Sequence, residues 1–184
     1  MTETTATAVS EPLQRFILHW GDMGGHWGVN RSVGQIHALL YVSERPVTAE
    51  EIAGQLGLAR SNVSNSLKEL QAWGLVRRVP ILGDRREHFE AEADIWEVAA
   101  KIAAGRKERE IDPALATLRA CVQAAEADPA THRAAVERLR RMLEFTETLT
   151  RWYEQMTAVP RPKLMALIRL GAKIAALLPD KKQA

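Results

Sequence analysis

Hydrophobic residues near the start of the chain recur at the spacing of a helix. Phe16, Ile17 and Trp20 fall on one side of a predicted helix over residues 11–23. The stretch that follows, residues 21–28, contains four glycines and is expected to break that helix. A connector is therefore expected between this first helix and the next.

Two capping boxes mark the starts of the next helices. Ser32 with Gln35, and Thr48 with Glu51, each place a hydroxyl residue three positions before a side chain that can return a hydrogen bond. Gly57 suits the left-handed conformation that ends many helices. The predicted helices run from residue 32 until Pro46, from residue 48 to 56, and from residue 60 to 73.

The one convincing β signal follows the last of these helices. Residues 75–82 are rich in branched side chains, residues 83–86 form a turn, and residues 87–92 alternate around Phe89. Helical signals resume at Asp94 and continue from there. Three helices and a hairpin predict a winged helix-turn-helix. The fold class is mainly α with one small β-hairpin wing, plus long C-terminal helices that form a dimerisation region.

This order of elements divides the chain into four parts. Residues 1–10 are expected to be a disordered tail, and residues 11–31 the N-terminal helix and connector. Residues 32–93 are the predicted winged helix-turn-helix, and residues 94–184 the helical dimerisation and effector region. A length of 184 residues allows one substantial core or two small ones.

Composition is that of an ordinary folded protein, with 46% hydrophobic and 26% charged residues. A net charge of +2 neither requires nor excludes nucleic acid, so the distribution of charge matters more. Cys121 is the single cysteine, and we interpret it as a packed residue rather than a nucleophile or redox sensor. Arg169 and Lys173 interrupt the most apolar stretch, and no signal peptide is recognised, so we expect a cytoplasmic protein without a membrane partner.

The helix over residues 60–73 carries the side chains that point to nucleic acid. No acidic residue lies between Ala59 and Lys68. Serine, asparagine and arginine form hydrogen bonds with base edges and phosphates. The predicted contacts on this helix are Arg60, Ser61, Asn62, Ser64, Asn65, Ser66 and Lys68. The alternative is a polar surface that lacks acidic residues by chance.

The hairpin adds a second basic feature. Arg85 and Arg86 lie at a tight turn, where long basic side chains can reach a minor groove or phosphates. Arg77 and Arg78 lie on the strand that leads there. A solvated turn with incidental charge is the alternative, but the position directly after a helix-turn-helix favours DNA contact.

Three blocks of sequence, residues 27–40, 59–70 and 83–91, together resemble the GbsR-type branch of the MarR superfamily. The resemblance covers about residues 16–111, and the C-terminal helices only in outline. One departure is Ala59, where many relatives carry a serine N-cap, because alanine cannot cap a helix.

The resemblance implies a homodimeric repressor or activator that binds double-stranded DNA at a roughly palindromic operator. The recognition helix, residues 60–68, would enter the major groove. Asp84 would brace the wing, and Arg86 would enter the minor groove. Characterised members of the branch regulate osmoprotectant uptake or synthesis and sense choline or related compounds, which implies a small-molecule effector.

The helical remainder is expected to form the dimer. A 3-4 spacing of apolar residues begins at Ala135, and the last helix is also amphipathic. The predicted interface residues are Leu139, Met142, Leu149, Tyr153, Met156, Leu164 and Ile168. An ordinary core within one chain is the alternative. We favour the interface because helix-turn-helix proteins commonly read two half-sites as two-fold dimers.

The tryptophans raise a further hypothesis, because aromatic faces bind quaternary ammonium groups by cation–π attraction. The aromatic residues are Trp20, Trp27, Trp73, Trp96 and Trp152, with Tyr41 and Tyr153. Packing in the core or in an interface is the interpretation we favour for them.

An enzyme is the main alternative class. The glycines of residues 21–28 follow a helix rather than a strand, and they lack the ending of a phosphate-binding loop. His19, Asp22 and His26 could share a helical face as metal ligands, but the glycines are expected to break that face. We expect no catalytic residue, metal or cofactor. A winged helix used only for protein contacts is the other alternative, although it requires an acidic or apolar recognition face.

Overall fold

The computed structural model describes residues 9–26, 28–171 and 173. Residues 1–8 of the tail expected at residues 1–10, and residues 174–184 at the end of the last amphipathic segment, lie outside this range. The described elements are α1 Glu11–His26, α2 Arg31–Tyr41, β1 Val47–Thr48, α3 Ala49–Leu56, α4 Arg60–Ala72, β2 Val76–Ile81, β3 Asp84–Ala91, α5 Ile95–Arg106, α6 Asp112–Ala127, α7 Arg133–Thr157 and α8 Arg161–Leu170. A turn of π-helix, Lys107–Ile111, precedes α6.

Local sequence determines how α2 and α3 begin and how α3 ends. The capping box of α3 is confirmed, because the Glu51 N–H donates to Thr48 Oγ1 at 3.2 Å and the Thr48 N–H donates to Glu51 Oε2 at 2.8 Å. Gly57 ends α3 with a φ of 63°. The capping box expected at Ser32 is wrong, since Asn30 caps α2 and accepts the Ser32 N–H at 3.0 Å.

The expectation that glycines break α1 is also wrong. The helix continues to His26, and Gly21 is buried in it. A Cβ on Gly34 of α2 would lie 3.1 Å from the Gly21 Cα and 3.2 Å from the carbonyl oxygen of Trp20. Close contact between the two helix backbones therefore explains why Gly21 and Gly34 are glycines. The free energy gained from this packing outweighs the low helix propensity of glycine.

The predicted hairpin is confirmed, and a third strand joins it. β3 pairs antiparallel with both of its neighbours, in the order β1-β3-β2. Val47 of β1 and Arg78 of β2 lie opposite Phe89 from the two sides. β1 has only two residues, which is too short for alternation to reveal it in the sequence. We call β2, β3 and the turn between them the wing.

The chain divides into two compact units between Arg106 and Lys107. The first unit contains α1 to α5 and the sheet, so it extends past the predicted end of the winged helix-turn-helix at residue 93. Apolar residues from each of its helices and from the sheet form the core: Ile17, Ile36, Leu39, Val47, Ile52, Val63, Leu67, Val76, Phe89 and Val98. α4 packs against both α2 and α3, which fixes the position of its outer face.

The second unit contains α6, α7 and α8. α6 packs against α7 and buries Leu115 and Val122. α7 is 25 residues long, and none of its residues is buried. Within the described residues of both units, no helix combines the length and the apolar character that a bilayer-spanning segment needs.

Candidate nucleic-acid interface

One side of α4 is polar and exposed. Ser61, Ser64, Asn65 and Lys68 follow the spacing of a single helical face, and all four are exposed. Arg60 is exposed in the first turn of the same helix. We call these five residues the α4 face. It offers donors and acceptors of the kind that contact base edges and phosphates, and it contains no carboxylate.

Two residues that were predicted to contact DNA lie on the inner side of α4 instead. Ser66 is 3% exposed, and Asn62 is half-buried. Asn62 Oδ1 accepts hydrogen bonds from the Ser32 hydroxyl at 3.0 Å and from the Ser66 hydroxyl at 3.3 Å. The hydrogen bond from Ser32 connects α4 to α2, so we expect Asn62 and Ser66 to stabilise this packing rather than to contact DNA.

Carboxylates of α3 form ion pairs with two arginines, one before β1 and one at the start of α4. Arg60 forms an ion pair with Glu50, and Arg45 pairs with Glu51 at 2.6 Å. Lys68 has no ion-pair partner within the described part of the chain. A phosphate that contacts Arg60 must therefore compete with Glu50, whereas Lys68 is available directly.

As expected from the alanine at position 59, α4 begins without a side-chain cap. This residue occupies the N-cap position and makes no capping hydrogen bond with its side chain. Packing of Val63 and Leu67 in the core therefore has to stabilise the helix in place of a cap.

Asp84 organises the tip of the wing. Its Oδ1 accepts the backbone N–H of Arg86 at 2.9 Å and the Arg86 Nε at 3.0 Å, while its Oδ2 accepts Arg86 Nη2 at 2.5 Å. Hydrogen bonds from the guanidinium and backbone of Arg86 hold the pKa of Asp84 well below its usual range. Asp84 and Arg86 therefore form a charged pair at the tip of the wing, while the bracing role of Asp84 and the entry of Arg86 into the minor groove stay predictions.

His88 belongs to the same arrangement, although the sequence prediction gives it no role. It is 4% exposed, and its Nδ1 lies 3.0 Å from the carbonyl oxygen of Arg86. A carbonyl oxygen only accepts, so this ring nitrogen donates. The Nε2 of His88 lies 3.5 Å from Asp84 Oδ2. The two-residue period that places positions 84, 86 and 88 on one side of β3 is the sequence signal that could have identified it.

The remaining arginines of the wing differ in their surroundings. Arg77 pairs with Glu90, and Arg78 pairs with Glu87 at 2.6 Å, so both connect the two strands of the hairpin. Arg85 is exposed at the turn and has no ion-pair partner among the described residues. Arg85 and Arg86 are therefore the basic groups that the tip of the wing presents.

The predicted dimer residues fall on different sides of α7 and α8. The exposed ones are Met142, Leu149 and Ile168, and the half-buried ones are Leu139, Tyr153, Met156 and Leu164. The prediction omitted Phe145 and Trp152, which are 64% and 58% exposed. Met142, Phe145, Leu149 and Trp152 are separated by three, four and three positions, and we call them the α7 stripe.

Two of the tryptophans meet in the first unit, where Trp20 and Trp73 line the same cavity. Trp96 and Trp152 are exposed, and Trp27 lies outside the described residues. Within the first unit, the described tryptophans therefore do not form one shared cage.

The candidate metal ligands do lie on one continuous helix, because α1 extends to His26. Asp22 forms an ion pair with Arg31 at 3.0 Å. Among the described residues, no group of three or more histidine, cysteine, aspartate or glutamate side chains is arranged to hold a metal ion.

Comparison with known proteins points to one family. The MarR family profile matches residues 27–87, which include α2, α3, α4 and most of the wing. The chain is 27% identical over 85 residues to the HTH-type transcriptional repressor GbsR of Bacillus subtilis (strain 168), covering 46% of this chain and 47% of that protein. It is 21% identical over 97 residues to the putative HTH-type transcriptional regulator YvaV of the same organism, covering 53% and 55%.

These alignments span about half the length of the curated relatives. A crystal structure of a transcriptional regulator is similar in fold, with a TM-score of 0.59 and 20% identity, over 78% of this chain and 94% of that one. The three-helix arrangement, the wing and the family match coincide in the same residues. The winged helix-turn-helix is therefore the part of this chain that is similar to the MarR family.

Proposed function

We propose that this protein is a dimeric DNA-binding transcriptional regulator that represses its target genes. The observation that carries the proposal is the α4 face, an exposed helical surface of hydroxyl, amide and basic groups without a carboxylate. In a helix-turn-helix such a surface enters the major groove, and the adjacent wing reaches phosphates or the minor groove. Arg85 and the braced Arg86 supply that second contact. The relative GbsR is named a repressor, and we propose the same sign of regulation here.

The proposed operator is palindromic, because a two-fold dimer presents two recognition helices to two half-sites. The α7 stripe supports a contact between two copies. Its four large apolar side chains are exposed on one long helix, at the spacing of a coiled-coil seam. Burying the stripe against a second copy removes this apolar surface from water.

We also propose that a small molecule controls the affinity for DNA. The resemblance implies choline or a related osmoprotectant as the effector. A winged helix that contacts only proteins remains the alternative function, and the polar character of the α4 face argues against it.

Binding to duplex DNA over a series of salt concentrations tests the proposal. We expect the logarithm of the binding constant to fall linearly with the logarithm of the salt concentration. The slope should be about −0.9 for each phosphate that the protein contacts. A Lys68→Ala/Arg85→Ala double variant should bind more weakly and show a smaller slope. The matched control is Arg133→Ala/Lys163→Ala, which removes the same charge from exposed positions of the second unit. Equal losses in both double variants, or no binding at low salt, would refute DNA recognition by the first unit.

A further inference from the structure

The wing ends in three consecutive apolar residues that do not pack against the rest of the protein. Pro80, Ile81 and Leu82 are all exposed, and Leu82 is 104% exposed, as open to water as in an isolated peptide. Ile81 lies opposite Asp84 in the register of the hairpin, so Leu82 and Gly83 form the turn. We call Pro80, Ile81 and Leu82 the apolar tip.

Folding of the hairpin does not account for the apolar tip. Gly83 has a φ of 83°, and this left-handed conformation makes the turn. The position before such a glycine needs only an ordinary negative φ, which polar residues adopt as readily as leucine. A run of three exposed apolar residues is unfavourable for solubility unless it makes a contact. The apolar tip is therefore expected to contact another molecule.

The charges around the apolar tip favour a polyanion as that molecule. Arg85 is exposed and has no ion-pair partner among the described residues. The carboxylate of Asp84 is already paired with Arg86. Glu87 is likewise paired, with Arg78 at 2.6 Å. The minor groove of duplex DNA fits this combination, because phosphates border it and apolar side chains can enter it.

The edge of the sheet argues against a protein partner that would add a strand to the wing. β2 is an outer strand in the order β1-β3-β2. Pro80 has no N–H group to donate, and the register of the hairpin is irregular between Val79 and Ile81. Both features interrupt the regular main-chain hydrogen bonds on which strand addition depends.

We infer that the apolar tip is a wedge that enters the minor groove, partly unstacks one base step and bends the duplex. The inference rests on the proposed function and adds a contact that reads the deformability of DNA. Proline, isoleucine and leucine are among the side chains that insert between base steps in DNA-bending proteins. TA and CA/TG steps unstack most easily, so the preferred site should carry one of them where each wing lies.

The structure holds the wedge in a fixed shape. Asp84 Oδ1 accepts the backbone N–H of Arg86 at 2.9 Å, directly after the turn. The ion pair between Arg78 and Glu87 connects the two strands below it, and the ring of Pro80 fixes the φ angle of that residue. Leu82 can therefore displace a base step without a change in the shape of the turn.

Bending and unstacking are measured on a duplex that the unmodified chain selects from a pool of random DNA. The duplex carries a donor and an acceptor dye at its two ends, and 2-aminopurine replaces the adenine of a TA or CA/TG step. We expect binding to raise both the energy transfer and the 2-aminopurine fluorescence. The unmodified chain should prefer this step to GC about tenfold. Leu82→Ser should remove that preference and most of both signals.

Two further variants separate the wedge from the charge beside it. Leu82→Met keeps a large apolar side chain at the exposed position, so the duplex should remain bent and unstacked. Arg85→Ala should weaken binding and reduce the salt slope by about 0.9, because one phosphate contact is lost, while the bound duplex remains bent. Leu82→Ser should leave the salt slope unchanged, because it removes no charge.

Several results would overturn the inference. Binding by the unmodified chain without bending or unstacking would do so and leave the proposed function in place. The same holds for equal signals with Leu82→Ser, or for selected sites without a TA or CA/TG step. A changed oligomeric state of Leu82→Ser with an unchanged bend would assign the apolar tip to a protein contact. An absence of binding to any duplex would refute the proposed function together with the inference.

Discussion

At the scale of single residues, the wing depends on one carboxylate that holds several neighbours. Asp84 accepts hydrogen bonds from the backbone and the guanidinium of Arg86 and lies beside His88. The family resemblance singled out positions 84 and 86 from the sequence, but not the hydrogen bonds between them. The part played by His88 was not, because alternation along a strand tells which residues share a side but not which of them make contact.

Replacing Asp84 with asparagine should weaken DNA binding about tenfold, because the guanidinium of Arg86 loses the charged acceptor that orients it. The effect should be absent when Arg86→Ala is already present, since the two residues act as one unit. Affinity for a DNA duplex, measured by fluorescence anisotropy in a double-mutant cycle, checks this. Glu87→Gln is the control, because Glu87 pairs with Arg78 on the strands. Additive losses in the cycle would contradict the bracing role.

A second prediction at this scale concerns pH. Burial, the strongest single influence, raises the pKa of Glu51, but hydrogen bonds from Arg45 and from the N–H and hydroxyl of Thr48 outweigh it and lower the pKa to about 2. A lowered pKa means that the stabilisation by Glu51 is complete above its ordinary value of 4.5 and disappears as the pH falls through 2.

Glu51→Gln should therefore lower the free energy of unfolding by ~1–2 kcal/mol at neutral pH, with the loss of the charged capping box. The difference from the unmodified protein should shrink steadily below pH 4.5. Urea unfolding over a pH series measures it. A difference that stays constant with pH would show that the ionised carboxylate of Glu51 does not stabilise the fold.

At the scale of elements, glycines in the first helix show what the sequence pattern can and cannot reveal. The spacing of Phe16, Ile17 and Trp20 correctly indicated α1, and the glycines led to a wrong end for it. Their low helix propensity is a local property, whereas the contact of Gly21 with Gly34 depends on how α1 and α2 cross. A periodic pattern indicates the buried side of a helix but not the distance to its neighbour.

Gly34→Ala should lower the free energy of unfolding by about 1–3 kcal/mol, because the added methyl group meets backbone atoms of α1 that cannot move aside singly. Gly25→Ala is the control on the partner helix. Its position is open, so alanine should raise the stability by roughly 0.5–1 kcal/mol. Thermal and urea unfolding of Gly34→Ala and Gly25→Ala measures both changes in the free energy of unfolding. Equal stability in the two would argue against close packing of α1 on α2.

The recognition helix α4 separates its polar residues into an outer and an inner group. Composition alone indicated DNA contact for all of them, since it does not distinguish Asn65 on the outside from Asn62 on the inside. Helical spacing could have made that distinction once the buried positions Val63 and Leu67 were known. The hydrogen bond from the Ser32 hydroxyl to Asn62 joins two helices and has no local signature.

Asn65→Ala should therefore relax the preference for particular bases at one position of each half-site, at a cost of about 1–3 kcal/mol for the preferred base. Asn62→Ala should lower the unfolding free energy and leave the order of base preferences unchanged, because it removes hydrogen bonds inside the protein. Binding of both variants to a set of single-base operator variants checks this. If Asn62→Ala changed the base preference and Asn65→Ala did not, the inner side of α4 would contact the bases, and the assignment of the α4 face would be wrong.

At the scale of the whole molecule, sequence reasoning recovered the winged helix-turn-helix and the family whose profile matches it. It also recognised the amphipathic character of the C-terminal helices. It assigned the interface to positions such as Leu139 and Tyr153, which are half-buried, and placed the exposed Phe145 and Trp152 on a second apolar row outside the predicted interface set. The reason is that α7 carries two apolar rows, and only the packing of α6 on α7 shows which of them is left exposed.

The central claim, that two copies joined through the α7 stripe read one operator, is tested most directly by selecting binding sites from a pool of random duplex DNA. The unmodified chain should select a two-fold symmetric sequence with half-sites about one helical turn apart. Phe145→Glu should select a single half-site, because a charge in the stripe prevents its burial. Arg151→Glu, an exposed position of α7 that is not three or four residues from any member of the stripe, should select the symmetric site as before. Selection of an asymmetric sequence by the unmodified chain, or the same symmetric sequence by Phe145→Glu, would contradict the account.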